Sequence, residues 1–179
     1  MIGFLYLGNT VTIFAQNGSF LVDSAQSELN FKVSHMGPFK VKGSFREFSG
    51  IFQYAEGVFQ SLEAEVMFAS VDTGNDERDE ILKTEPYFDE ARFPVLSFKA
   101  ERLESNREER IIVGELTIKD QKRELRFPVT IAYDSTADKI TLEGKARIRR
   151  KEYDLVFGSM NGLIGDKVDI QLRIVAIGQ

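Results

Sequence analysis

The chain contains no cysteine and no tryptophan, and it has one histidine and four prolines among 179 residues. Without cysteine there is no disulfide framework, no thiolate nucleophile and no Cys-ligated zinc or iron–sulfur site. The single histidine, His35, rules out a metal site built on several imidazoles, and a Ser-His-Asp triad would have to run through that one ring. Stacking on a sugar or a base falls to Phe and Tyr. Twenty-three basic residues against 28 acidic ones leave a net charge of −5, which argues against a broad electrostatic grip on nucleic acid. What is present, 42% hydrophobic and 28% charged residues with no low-complexity tract, is the balance of a globular protein, and the length is that of one domain.

The amino terminus is also poor in charge. No side chain from Met1 to Val22 is ionised, and Asp23 is the first that is. Two apolar patches, Met1 to Gly8 and Val11 to Ala15, are split by Asn9 and Thr10. A membrane-spanning helix needs about 20 mostly apolar residues, and this stretch carries too many glycines and polar groups. A secretory signal peptide fits better, with a short apolar region and a small residue at Ala15, although the usual Lys/Arg start is missing. The alternative is an ordinary amino-terminal strand.

From Glu28 onward the pattern has period two. Leu29, Phe31 and Val33 alternate with Asn30, Lys32 and Ser34, and Phe39, Val41 and Phe45 alternate with Lys40, Lys42 and Ser44. The alternation recurs over Leu62–Phe68, Leu96–Ala100, Ile112–Ile118, Leu125–Tyr133, Ile140–Ile148 and Val168–Ala176. About eight long strands, each apolar on one face, result. A sheet wet on one side is antiparallel, since parallel sheets are covered on both faces. The apolar faces must meet, either as two packed sheets or as one closed barrel. Closure removes the edges, so an all-β, closed, antiparallel eight-stranded barrel is favoured over a sandwich.

One segment, residues 76–92, breaks the rhythm. After the turn Asp72-Thr73-Gly74-Asn75, the run Asp76 to Lys83 reads as a short helix with an acidic first turn and a basic last one, both matching the helix dipole. Pro86 can open a further helical turn, and Pro94 ends it. Ile81, Leu82, Phe88 and Phe93 give this insertion an apolar underside, as a lid or plug over one barrel mouth would have.

Several motifs then resemble the YceI-like, or polyisoprenoid-binding, family. They are Phe31-Lys32-Val33-Ser34-His35-Met36-Gly37, Val41-Lys42-Gly43-Ser44-Phe45 and Phe48-Ser49-Gly50, then Val71-Asp72-Thr73-Gly74-Asn75 with Arg78-Asp79. Phe93-Pro94 with Phe98-Lys99, Gly114 to Lys119, Ala146 to Leu155 and Val168 to Leu172 continue the series in order. The resemblance covers about residues 20–176. It implies a lipocalin-like barrel exported to the bacterial periplasm or secreted, whose lumen holds a long isoprenoid or another amphiphilic chain, with no cofactor. On that reading residues 1–19 are a signal peptide or flexible segment and residues 20–179 the barrel domain. The chain departs from the family pattern at Gln26, at Asp120-Gln121 and at Tyr153-Asp154, which leaves the identity of the ligand open.

Alternation places Phe31, Val33, Phe45, Phe68, Phe98, Leu116 and Ile148 on inward faces. They either line a ligand cavity or fill the barrel, as side chains do in small closed barrels. His35 is placed with the polar phase of Asn30, Lys32 and Ser34, at a strand end beside Gly37-Pro38, as a structural histidine or a mouth group touching a headgroup. Arg78, set among carboxylates, is read as an ion pair anchoring the insertion, or as a ligand for a pyrophosphate headgroup. With Leu82 and Phe88 of the insertion these residues make up the candidate site. Arg147, Arg149, Arg150 and Lys151 form the only basic cluster along the chain and are read as solvated barrel exterior, with transient contact to a membrane surface the alternative. Gly43, Gly50, Gly114 and Gly144 are read as bends. No calcium-loop spacing is present, so no metal is expected. The expected function is non-enzymatic binding, sequestration or transport of a lipid. The alternatives are a filled-barrel interaction protein or an enzyme using His35 as base, and a homodimer stays open.

Overall fold

In the computed structural model the described residues are 18–85, 87–157 and 161–179. The expected export leader lies almost entirely outside them. Eleven strands form one continuous sheet. They are β1 (Ser19–Val22), β2 (Glu28–His35), β3 (Phe39–Phe45), β4 (Phe48–Ala55), β5 (Val58–Met67) and β6 (Val71–Asp72), followed after the helix by β7 (Val95–Ser105), β8 (Arg110–Ile118), β9 (Gln121–Asp134), β10 (Lys139–Arg149) and β11 (Ile164–Gly178). The helix α1 spans Asp76–Lys83, and the Asn75 side chain caps it by accepting from the Arg78 amide at 2.8 Å.

The sheet closes because β11, the longest strand, serves two neighbours along one edge. Its carboxyl end, Ala176 to Gly178, pairs with β1, while Ile164 to Arg173 pair with β2. β1 in turn pairs with β4, and β2 with β3. β1 and β2 are thus one bent stave of the barrel, and β3 and β4 another. With β5 and β7 to β11 they make an antiparallel barrel of eight staves. The first bend is held by Asp23, whose carboxylate accepts from the Ala25 and Gln26 amides, and by Ser27, whose hydroxyl takes the Val175 amide. β1 already includes Ser19, one residue before the expected domain boundary, and the Gly18 carbonyl accepts from the Tyr54 amide.

The second bend has a larger consequence. At Arg46-Glu47 the stave leaves β5, and on the edge away from β2 its β3 half pairs only with the two residues of β6. A gap opens between β3 and β7. The helix α1 and the turns from Thr84 to Phe93 stand beside it. On the far wall the β9–β10 ladder also stops, at Gly144 opposite Val129. The barrel therefore has a closed half and a splayed half.

The two halves are packed differently. In the closed half Phe20, Phe52, Phe59, Ile112, Phe127, Ile140 and Leu142 belong to one buried cluster that fills the lumen. In the splayed half Ile118, Ile148, Tyr153, Leu155 and Phe157 form a second cluster, against which Tyr87 and Phe88 pack. Three of the glycines taken for bends seat aromatic rings. A Cβ on Gly43 would lie 2.4 Å from Phe31, one on Gly114 2.6 Å from Phe98, and one on Gly144 3.1 Å from Phe127. The missing side chain lets each ring cover the backbone of a neighbouring strand.

Candidate functional site

The splayed half encloses a cavity of about 470 Å³, lined by β2, β3, Phe68, α1 and the turns after it, Ile148 of β10, Arg150, Phe157 and the start of β11. Its size falls in the range of about 300–1,000 Å³ typical of small-molecule sites. An arc of aromatic rings runs along its wall. Phe31 meets Phe45 at 5.5 Å between centroids, Phe45 meets Phe68 at 5.9 Å, and Phe68 stacks on Phe88 at 3.9 Å and 22°. Phe157 continues the arc to Tyr87 at 5.0 Å. Val33, Val41, Ile148 and Val168 complete an apolar surface.

Polar groups gather at one edge, where Asn75, Glu77 and the apolar Ile81 are exposed between α1 and the β2–β3 hairpin. Arg78 belongs to this edge. Its Nε donates to the Thr73 hydroxyl at 2.7 Å and its Nη2 to the Thr73 carbonyl at 2.8 Å. The expected anchoring ion pair is not formed: among the described residues no carboxylate lies within salt-bridge distance of Arg78. The anchor is instead Asp79, which is buried and accepts from the Thr73 amide at 3.1 Å and from its hydroxyl at 2.5 Å. Asp79 holds Thr73, and Thr73 in turn positions Arg78. Two of the five guanidinium N–H groups are thereby occupied.

Arg150 differs most from its expected place. Instead of standing on a solvated exterior, it is 1% exposed. The chain leaves β10 at Arg149 and turns into the 3-10 helix Arg150–Tyr153, and Arg150 continues the inward phase of the buried Ala146 and Ile148. Its Nε donates to the Gly165 carbonyl at 2.9 Å, Nη1 to that of Leu155, and Nη2 to those of Asn161 at 3.0 Å and Ile164 at 2.8 Å. The guanidinium also lies 4.7 Å from the Phe157 ring centroid. Burial lowers its pKa from the ordinary value, and Asp166 pulls the other way. Arg150 ties Leu155 to Asn161, Ile164 and Gly165 beside the cavity.

His35 needs a second correction. It shares the parity of Phe31 and Val33, not of the polar residues between them, and it lines the cavity with both. Of the candidate residues, the cavity brings together Phe31, Val33, His35, Phe45 and Phe68 with Arg78, Leu82, Phe88 and Ile148. Phe98 and Leu116 lie elsewhere. Phe98 packs on the closed-half cluster and against Phe127 at 5.8 Å, and Leu116 packs on the second cluster. Tyr87, Arg150, Phe157 and Ile164 also line the cavity and were not singled out as site residues. Tyr87 and Phe157 lie outside the strands, where period two says nothing of direction, and Ile164 opens β11 ahead of the irregularity before Val168.

Comparison with known proteins agrees with this architecture. The model of the YceI-like domain family matches residues 20–176. A UPF0312 protein of Staphylococcus aureus is 34% identical over 113 residues, which cover 62% of this chain and 64% of the length of that relative. A UPF0312 protein of Vibrio parahaemolyticus is 24% identical over 187 residues, covering 97% of this chain and 94% of the other. Among solved structures, BcnA of Burkholderia cenocepacia superposes with a TM-score of 0.78 at 22% identity, over 86% of this chain and 98% of its own. A polyisoprenoid binding domain from Saccharophagus degradans, implicated in plant cell wall breakdown, reaches 0.73 at 16% identity, over 89% and 98%. At these identities the structural likeness establishes the fold.

Proposed function

This chain belongs to the YceI-like family, and on that premise we propose that its cavity holds the apolar chain of an amphiphilic lipid without chemical turnover. The observation that carries the proposal is the division of the cavity surface. One side is apolar and rich in phenylalanine, and the polar groups Thr73, Asn75, Glu77 and Arg78 stand together at the α1 edge. An oily chain gains about 0.8 kcal/mol for each methylene taken out of water, while its head stays near the rim. The likeness to a polyisoprenoid binding domain of Saccharophagus supports an isoprenoid-like chain. Because the closed half is filled, the chain ends against Phe31, Phe45 and Phe68 and does not run the length of the barrel. Sequestration or carriage outside the cytoplasm is the role that fits an exported barrel, and sequencing the mature amino terminus tests the export.

Lipid extraction and mass spectrometry of protein purified from its host test the binding itself. One amphiphile recovered per barrel is expected, and Val41→Phe, which fills the cavity from β3, should abolish it at unchanged melting temperature. Full lipid recovery from that variant would contradict the placement. The packed closed half favours a second reading, a filled barrel acting as an interaction protein. For that reading the same extraction yields nothing.

A further inference from the structure

The outer face of the strands that wall the cavity carries charge that works against the sheet. In the β2–β3 ladder Lys32 stands directly opposite Lys42, and directly opposed like charges destabilise an antiparallel pair. Arg147 and Asp169 continue the same row across β10 and β11, with Lys145 and Lys40 beside it. Asp169 is the one acidic group in this patch. It accepts from Arg147 at 2.6 Å, and Lys32 is 4.0 Å away. Its neighbours Arg147, Lys32 and Lys40 hold its carboxyl below the ordinary carboxylate range. Among the described residues Lys40, Lys42 and Lys145 have no carboxylate within salt-bridge distance. The patch carries four more positive than negative charges on a chain whose net charge is −5. A shallow outer groove crosses these strands between Lys32, Lys42, Lys145 and Arg147.

The edge of this face is apolar. At the tip of the β2–β3 hairpin Phe39 is 68% exposed and Met36 is 53% exposed. Leu163, 43% exposed, joins them through the Met36 amide, which donates to its carbonyl at 2.7 Å. Phe39 is followed directly by Lys40, so the apolar tip and the basic face are continuous. His35 and Ile164, each next to a tip residue, line the cavity.

We infer that this face and tip dock the barrel on a bilayer bearing anionic headgroups, with the cavity mouth turned to the membrane. A soluble polyanion would use the lysines and leave Met36, Phe39 and Leu163 in water. An anionic bilayer takes both, with cations at the headgroups and the apolar tip at the acyl boundary. The tension between Lys32 and Lys42 is then relieved by the partner.

The test is co-sedimentation with phosphatidylcholine vesicles, with and without phosphatidylglycerol, and it needs no cavity ligand. It therefore succeeds or fails independently of the lipid-binding reading. Binding is expected only with phosphatidylglycerol and should weaken as salt rises. Lys32→Gln/Lys42→Gln should reduce partitioning about 25-fold, near fivefold for each cation removed, with the melting temperature equal to or above the parent. Because the chain lacks tryptophan, Phe39→Trp places a single indole at the tip. Its emission should shift to the blue and be quenched by brominated lipid. Equal binding to neutral vesicles, no loss in the double variant, or an indole that stays unquenched while heparin displaces the protein would each overturn the inference.

Discussion

Arg150 offers the sharpest test of how the cavity wall is built. Its guanidinium donates to four backbone carbonyls, those of Leu155, Asn161, Ile164 and Gly165, from a site that is 1% exposed. Replacing a buried ionic group with an apolar one can be neutral when every partner is replaced too. Backbone carbonyls cannot be replaced. Arg150→Met would keep much of the apolar stem but strand these acceptors, at about 1–3 kcal/mol for each that water does not reach. With partial rescue by water at the chain surface, the total loss should be about 3–5 kcal/mol. For a domain of this size that lowers the melting temperature by about 6–20 °C, at roughly 2–4 °C per kcal/mol. Urea denaturation and thermal unfolding followed by circular dichroism measure it directly. Arg150→Lys should recover little, because an ammonium on a flexible stem cannot present a planar fork to carbonyls on several sides. A loss under 1 kcal/mol in Arg150→Met, or full rescue by lysine, would refute the clamp.

Three further outcomes follow from the same packing. Phe68, fully buried and stacked on Phe88, should cost about 3–5 kcal/mol as Phe68→Ala, and a soaked apolar probe should then bind more weakly in fluorescence titration. Gly43→Val should push the Phe31 ring off its seat, destabilising by about 1–3 kcal/mol and lowering lipid recovery, since Phe31 lines the cavity. Burial pushes the Tyr153 hydroxyl up to about 12 from an ordinary 10. The unfolded chain thus loses this proton first, and the stability difference is intact below pH 10 and lost as pH rises toward 12. Alkaline melting should show that fall, on the order of 2 kcal/mol, and Tyr153→Phe should flatten it.

What could be read from the sequence follows the limits of periodicity. Long one-faced strands repeat their message often enough that eight staves, their antiparallel sense and the α1 insertion were all legible. The short pieces were not. β1 has four residues and lies at the end of an uncharged apolar run that masks any alternation, while β4 carries Ser49, Gly50 and Gln53 among its apolar residues. Yet these two strands join the staves to each other in the closed half. The candidate residues on β2 and β3 came out around the cavity because their parity is kept right up to the hairpin. Phe98 was placed on the correct face and in the wrong half, since period two gives the side of a strand and not the height along the barrel. Arg150 shows the opposite limit: period two puts it on the inward phase with Ala146 and Ile148, but its charge groups it with the outward Arg147 and Arg149.

The bend at Arg46-Glu47 ties these observations together. Had the stave stayed beside β5 over its whole length, the ladder would have closed at both ends, and the splayed half would be packed as the closed half is, where Phe52 and Phe59 of the paired strands β4 and β5 meet at 5.4 Å. By parting from β5, β3 gives up backbone pairs, and the Arg46 amide finds Ser70 while the Met67 amide finds Glu47. These few bonds replace a ladder only if something covers the gap, and that is the work of α1, held by the Asn75 cap and the Asp79–Thr73 contact. The cavity is thus a consequence of strand divergence more than of side-chain size. Enlarging a single lining residue should empty it of ligand without unfolding the barrel, whereas loosening the Asp79–Thr73 contact should release the cover. Asp79→Asn is the discriminating change. It keeps the shape and weakens the hold on Thr73, so hydrogen exchange should rise in α1 and the 84–93 turns while the amides of β8 to β10 in the closed half stay protected. Uniform loss of protection across both halves would mean that the two are one cooperative unit and that the cover is not separately stabilised.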